Sequence, residues 1–208
     1  MSRPFNSAAL PKCHDRLSKV KRSLQGCRSA SDFEQFASHW SEFLIHSGGV
    51  LNILDAGADT TPQGRQWYGG VKREGRNDPL LQYMHQARNV EEHAVEPTAE
   101  YQHPSLGIGG PGEDVYFDKF TLDTAFLKNP EKEIVGRAWR PSDGKPPTIT
   151  RTPGGPKLLP ARDDRFKNTY PPPTEHLGKP LASDDPLAVA ELYLAYLERL
   201  VEKAGELS

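Results

Sequence analysis

The chain has 208 residues, a hydrophobic content of 36%, a charged content of 26% and a formal net charge of −2 at pH 7. No apolar run reaches the length of a membrane span and the first residues lack an apolar leader core, so we expect a cytoplasmic protein without a membrane partner. The nearly neutral charge excludes a general attraction to nucleic acid, and any such site must be a local basic patch.

Residues 7–95 predict a helical bundle, because apolar residues recur there every three or four positions. Gly26 is the expected end of the first helix, and Ser31 with Glu34 forms a predicted capping box at the start of the second. Gly48-Gly49 interrupts this second helix and predicts either a kink or close packing of a neighbour. The two cysteines, Cys13 and Cys27, are expected to be free thiols.

A further helix is predicted from Asp78, as N-cap, and Pro79, in the first turn. Its apolar side comprises Leu80, Leu81, Tyr83, Met84, Ala87, Val90 and Ala94. The opposite side comprises Gln82, His85, Gln86, Asn89 and His93, with Arg88 and Glu92 at one edge. A solvated helix face is ordinarily rich in Lys and Glu. This uncharged polar face therefore favours contact with a partner chain or a ligand.

Residues 96–182 have a different composition, because most of the prolines and many of the glycines lie there. Short strands are predicted at 115–127 and, as a hairpin around residues 142–145, at 134–139 and 148–152. The glycine-rich stretch 106–112 is expected to be a turn, because it lacks the ending of a phosphate-binding loop. Residues 153–180 predict an extended Pro-rich arm over the surface.

The last region, residues 183–208, predicts one helix that starts at Asp184-Asp185-Pro186 and docks on the N-terminal bundle. We therefore expect a single domain of the α+β class, spanning residues 1–208. It would consist mainly of an α-helical bundle, with a small β appendage and a long Pro-rich arm.

The helix after Asp78 carries Arg88, followed directly by Asn89 and, after four intervening residues, by His93. This arrangement resembles the Arg-x4–6-His motif of HEPN domains, in which a polar residue commonly follows the arginine. The resemblance covers roughly the N-terminal half of the chain. It implies a metal-independent endoribonuclease that works without a cofactor as a homodimer with facing motifs. It also implies a toxin or a component of phage defence, with RNA as substrate and an antitoxin or defence protein as partner.

The chemistry of these residue types agrees with such a role. The 2′-hydroxyl of RNA can attack the neighbouring phosphate if a base, an acid and a positive charge are supplied. Histidine transfers protons near neutral pH, and arginine grips phosphate with a bidentate fork. One His93 per chain does not easily serve as both acid and base, so a two-fold dimer would provide the second.

Two other interpretations remain open for these residues. Arg88 and Glu92 are four residues apart, a spacing that allows an ordinary ion pair on a solvated helix. His93 lies at the end of the helix, where a protonated imidazole stabilises the C-terminus. Alternatively, the polar face is the dimer contact of a non-enzymatic interaction protein.

A second candidate site is the run Trp67 to Arg76, in which two aromatic residues precede Lys72, Arg73 and Arg76. Aromatic rings can stack on bases while basic groups hold phosphates, so these five residues and His85 are predicted to bind RNA. The other interpretation is a partly buried aromatic pair beside a basic loop. No Cys-x2-Cys or His-Glu-x-x-His spacing is present, and we expect no metal site.

Overall fold

The structure, a computed structural model, describes residues 3–94, 96–108, 116–120, 136–139, 149–162 and 167–208. The fold belongs to the α+β class and is mainly helical, as predicted. The chain divides into two compact units. The first comprises Met1–Glu100 and Pro156–Ser208, and the second comprises Tyr101–Gly155.

The described residues of the first unit include a short 3-10 helix at Ser7–Ala9 and five α-helices after it. They are α1 (Leu10–Ser29), α2 (Phe33–Ala58), α3 (Pro62–Asn77), α4 (Pro79–His93) and α5 (Pro186–Glu206). The side chains of Thr61, Asp78 and Asp185 cap α3, α4 and α5 by accepting backbone N–H groups, and a proline follows each cap. These starts agree with the caps and prolines visible in the sequence, because both act locally.

Two helix boundaries differ from the prediction. Helix α1 continues through Gly26 to Ser29. Gly26 does not end the helix but gives room for the His39 ring of α2, because a Cβ at this position would lie only 2.5 Å from that ring. At the start of α2 the cap is Asp32, which accepts the N–H of Gln35 at 2.9 Å. The residues that cap the helix are therefore Asp32 and Gln35, each one position later than the predicted Ser31 and Glu34. The side chain of Gln35 accepts the Ser31 N–H.

The strands are short and pair two by two. They are β1 (Ala99–Gln102), β2 (Ser105–Ile108), β3 (Tyr116–Phe120), β4 (Gly136–Trp139), β5 (Ile149–Thr152), β6 (Gly155–Leu158), β7 (Ala161–Arg162), β8 (Thr169–Tyr170), β9 (Glu175–His176) and β10 (Lys179–Pro180). The pairs are β1 with β6, β2 with β5, β3 with β4, β7 with β8 and β9 with β10.

The predicted hairpin between β4 and β5 is wrong. Strand β4 pairs antiparallel with β3, and β5 pairs antiparallel with the more distant β2. Hydrophobic alternation marks a strand but does not name its partner, which explains the error. The predicted turn at residues 142–145 lies outside the described residues, as does the end of the glycine-rich stretch 106–112. The start of that stretch lies in strand β2 and not in the predicted turn.

The core of the first unit lies between α1, α2, α4 and α5. Rings of Phe36, Trp40 and Phe43 stack along α2, and Phe43 meets Tyr193 of α5 edge-on. The predicted docking of the last helix on the N-terminal helices is thus confirmed. Cys13 and Cys27 are buried and free, also as predicted. In the part of the chain that the structure describes, no helix combines the length and apolarity needed to cross a bilayer.

Polar contacts hold the Pro-rich segment at the start of α4. Asp78, besides capping α4, accepts the Leu177 N–H at 2.6 Å and lies 3.0 Å from Nδ1 of His176. Further along α4, the Tyr83 hydroxyl donates to the Leu159 carbonyl at 2.8 Å. The segment is thus anchored at the N-terminus of α4 and on its apolar side. Besides the extended arm that the sequence predicted, the segment also forms the small ladders β7–β8 and β9–β10.

Candidate functional site

Two parallel rows of polar side chains lie on the exposed side of α4. The first row contains His85, Asn89 and His93, spaced four residues apart, and the second contains Arg88 and Glu92. The Asn89 amide joins them, because its Nδ2 lies 3.4 Å from Nε2 of His85 and its Oδ1 accepts from Nη1 of Arg88 at 3.1 Å. The middle of the polar face predicted from the sequence is therefore a connected network.

Arg88 is held in a fixed position between α4 and α2. Its Nη2 lies 2.9 Å from Oε2 of Glu92, which is the ion pair considered from the sequence. Its Nε is buried and has no hydrogen-bond partner among the described residues. A Cβ at Gly48 of α2 would lie 2.8 Å from this Nε, so the glycine provides the space for the guanidinium group.

The Gly48-Gly49 pair therefore marks close packing without any break in the helix. Helix α2 continues through both residues to Ala58. Gly49 lies against the side chain of Arg16 of α1, just as Gly48 lies against that of Arg88. Of the two alternatives predicted for this pair, close packing of a neighbouring side chain is the observed one.

His93 lies at the end of α4 and its side chain is 75% exposed. Its Nε2 is 3.7 Å from the Glu92 carboxylate oxygen that also meets Arg88. The two motif residues are thus connected through Glu92 and not by direct contact. Such exposure leaves the imidazole available to a substrate or to a second chain, and the core does not depend on it.

A cavity of about 320 Å³ opens beside Arg88, between α2, α3, α4 and α5. Its apolar walls include the rings of Tyr68, Tyr193 and Tyr196. Its polar lining includes Asn52, Asp55, Lys72, Arg76, His85 and Arg88. Partial enclosure by these walls, together with the charge of Arg88, lowers the pKa of His85.

The run Trp67 to Arg76 lies on α3 and is helical where one interpretation expected a basic loop. Trp67 is half-buried, with its ring edge-on to Phe5. Tyr68 is buried, and its hydroxyl donates to the Leu51 carbonyl at 2.7 Å. These two aromatics therefore contribute to the core, and Tyr68 also to the cavity wall, instead of forming an exposed stacking surface.

The basic residues of α3 differ in their surroundings. Lys72 lies 2.8 Å from Asp55 and over the Tyr68 ring, 5.3 Å from its centre. Arg76 is exposed and lines the cavity, whereas Arg73 is exposed and does not belong to the cavity lining. The structure thus brings Lys72 and Arg76 together with His85 and Arg88.

Four cavity residues were not singled out in the sequence. Asn52 and Asp55 come from the helical run of α2, and Tyr193 and Tyr196 from α5. A pair of tyrosines within an otherwise aliphatic helix face was the available signal. Their meeting with α4 depends on tertiary packing, which helical periodicity does not reveal.

Among the described residues, no three His, Cys, Asp or Glu side chains lie together as metal ligands would. Comparisons of the chain with protein-family models, with curated proteins and with solved structures gave no match.

Proposed function

We propose that the chain is a metal-independent endoribonuclease of the HEPN type. The observation that supports this most is that Arg88 bonds to Asn89 and Glu92, and that Glu92 in turn lies beside the exposed His93, on the polar side of one helix of a bundle. The resemblance of Arg88, Asn89 and His93 to the HEPN motif indicates the type of reaction, which is metal-independent cleavage of RNA. The proposal places the protein in the cytoplasm with RNA as its substrate.

In the proposed reaction the 2′-oxygen of RNA bonds to the adjacent phosphorus and loses its proton to a base. The bond from phosphorus to the 5′-oxygen then breaks, and an acid donates a proton to that leaving oxygen. His93 transfers the protons in this proposal, because its side chain is 75% exposed and therefore accessible to the RNA. Arg88 stabilises the charge on the pentacoordinate phosphorus, and Asn89 orients the guanidinium through its 3.1 Å hydrogen bond.

Glu92 has a defined part in this proposal. Its carboxylate forms an ion pair with Nη2 of Arg88 in the free chain. An RNA phosphate that approaches Arg88 competes with this carboxylate, because both are anions suited to the same fork. The free chain thus holds its arginine paired until substrate binds.

This reaction should proceed without metal. We expect cleavage of single-stranded RNA to survive EDTA and to leave a 2′,3′-cyclic phosphate and a 5′-hydroxyl, because the nucleophile belongs to the RNA. Mass spectrometry of the products of one defined oligonucleotide identifies these ends. Magnesium-dependent cleavage with 5′-phosphate ends, or intact RNA at high protein concentration, would contradict the proposal.

The composite site also requires a second chain, because one His93 does not serve easily as acid and base together. The face with Gln82, His85, Gln86, Asn89 and His93 stays partly exposed along its length, and the arm contacts α4 elsewhere, at Asp78 and Tyr83. We propose that this face lies near the two-fold axis of a homodimer.

Introduction of a charge into this face should test the dimer. We expect Gln86→Glu to weaken dimerisation and RNA cleavage together, by roughly tenfold each, since two like charges would face each other across the axis. Gln66→Glu on the exposed side of α3 is the matched control. Sedimentation velocity at micromolar concentration measures the assembly. A wild-type monomer that cleaves RNA at full rate would exclude the composite mechanism.

The alternative function is a non-enzymatic interaction protein that uses the same polar face. The pairing of Arg88 with Glu92 and Asn89 favours it, because a guanidinium satisfied within its own helix is less available for phosphate. In that case the face would bind a second copy or a protein partner, such as an antitoxin or another defence component.

A further inference from the structure

We propose that the outer face of α1 and α2, centred on Arg16 and His46, binds an acidic segment of a partner protein. A carboxylate of that segment would accept hydrogen bonds from both side chains, and an apolar residue of the segment would cover Ile45. This face consists of other residues than the motif on α4, and the proposal does not depend on RNA cleavage.

The cations of α1 are paired on one side of the helix and not on the other. On the side next to α5, Arg28 forms an ion pair with Glu191 at 2.7 Å. On the side next to α2, the only polar partner of Arg16 among the described residues is His46, whose Nδ1 lies 3.1 Å from Nη1 of Arg16. A neutral imidazole does not compensate the charge of a guanidinium group. Arg16 is therefore a cation to which the described chain supplies no carboxylate.

His46 is held as a neutral hydrogen-bond donor. An arginine side chain carries only N–H donors, so Nδ1 of His46 must accept and the ring proton lies on Nε2. Burial and the charge of Arg16 lower the pKa of this imidazole, which favours the same form. Among the described residues, only Ser47 Oγ and Arg88 Nε are buried without a partner. The Nε2 of His46 and the free N–H groups of Arg16 are therefore accessible to a ligand.

Arg16 is fixed in position before any partner binds. Its side chain lies on Gly49 of α2, where a Cβ would be 3.0 Å from Nε. Lys12 and Lys19 share this side of α1, because residues three and four positions apart are neighbours on a helix. Lys19 pairs with Asp15 at 2.9 Å, whereas Lys12 is exposed. The face thus has an excess of positive charge, and a fixed guanidinium loses little side-chain entropy on binding.

An acidic protein segment fits this face better than a nucleic acid does. Ile45 of α2 is 37% exposed, and a protein partner can cover it with an apolar side chain. Neither α1 nor α2, both described in full, exposes a Trp, Tyr or Phe ring on which a base could stack. Asp15 and Glu42 border the same face, and their carboxylates would repel a continuous row of phosphates.

The test uses an acidic peptide of defined sequence. A helical peptide of about 14 residues contains Ala, one central Leu and Glu at every fourth position, and its control has Gln in place of each Glu. Calorimetry measures binding, and NMR follows the chemical shift of the His46 ring. We expect saturable binding of the Glu peptide, with a shift of the His46 signal, and no binding of the Gln peptide.

Variants of α1 and α2 locate the binding surface. Arg16→Gln should weaken binding of the Glu peptide by roughly tenfold or more, because it removes the central cation. Arg28→Gln, the same change on the α5 side of α1, is the matched control and should leave binding unchanged. Ile45→Ser should weaken binding by roughly threefold, since it removes the exposed apolar contact without touching the core.

Several results would overturn the proposal. These are no saturable binding of the Glu peptide up to about 1 mM, equal binding of the Gln peptide, or equal effects of Arg16→Gln and Arg28→Gln. Should Arg16→Gln fail to fold, Ile45→Ser and the His46 shift decide the question, and an absence of both effects overturns it.

Other occupants give distinct outcomes, each of which also overturns the proposal. Tighter binding of a single-stranded RNA oligonucleotide that depends on Arg16 would assign the face to a nucleic acid. Tighter binding of phosphatidylglycerol vesicles that depends on Arg16 would assign it to a lipid surface. A free chain whose self-association is lost in Arg16→Gln, measured by sedimentation velocity, would assign it to a second copy.

Discussion

His93→Ala should reduce RNA cleavage by roughly a hundredfold to ten-thousandfold, the range expected for loss of a general acid or base. The melting temperature should change little, because the side chain is 75% exposed at the end of α4. Single-turnover cleavage of an oligonucleotide, measured beside thermal unfolding, checks both statements. His14→Ala, which removes another exposed histidine, is the matched control.

Arg88→Ala should abolish cleavage to a similar extent, but with a moderate loss of stability. The guanidinium occupies the space at Gly48 and pairs with Glu92, so its removal leaves a cavity and an unpaired carboxylate. The two variants should thus differ in stability, because only Arg88 packs against a neighbouring helix. Full activity in either variant would exclude the motif from catalysis, and severe unfolding in both would assign it a structural role.

Asp78→Ala should have the largest effect on stability among the polar substitutions, a loss of about 3 kcal/mol in the free energy of unfolding. Asp78 caps α4 and also accepts from the arm at Leu177 and His176, so one substitution removes a cap and two hydrogen bonds to a charged group. Asp185→Ala is the matched control, because Asp185 caps α5 from an exposed position. Equal losses in urea denaturation would contradict the anchoring role.

The effect of Asp78 should depend on pH in a defined direction. Burial alone would raise the pKa of its carboxyl, but the hydrogen bonds from Leu177, Leu81 and His176 outweigh burial and hold the pKa below its ordinary value. The unfolded chain titrates Asp near about 3.9, so the stabilisation is fully present above that pH and is lost as the pH falls through the lower folded pKa. The difference between wild type and Asp78→Asn should therefore be constant at neutral pH and shrink below about pH 4.

Local signals in the sequence were sufficient for most of the helical bundle. The Asp-Pro pairs at Asp78 and Asp185 fix two helix starts, because a cap and a first-turn proline act within a few residues. The polar network of α4 was visible for the same reason. Glycines were less decisive, since Gly26 and Gly48 suit close packing between helices as well as they suit helix ends.

What the sequence did not reveal depends on contacts between distant segments. The partner of β5 is β2, and no property of either strand alone selects that pairing. The cavity likewise needs Tyr193 and Tyr196 beside Arg88, which only the docking of α5 brings about. The candidate motif could thus be predicted from one helix, whereas the pocket next to it could not.

The discontinuous first unit has a consequence for biosynthesis. A ribosome releases α1 to α4, with Arg88 and His93, before it has made α5. His176, which anchors the arm at Asp78, follows that residue by 98 positions, and the tyrosines that close the cavity come later still. The nascent chain therefore exposes the motif on an unfinished bundle, and the complete site forms only after the last helix has been translated.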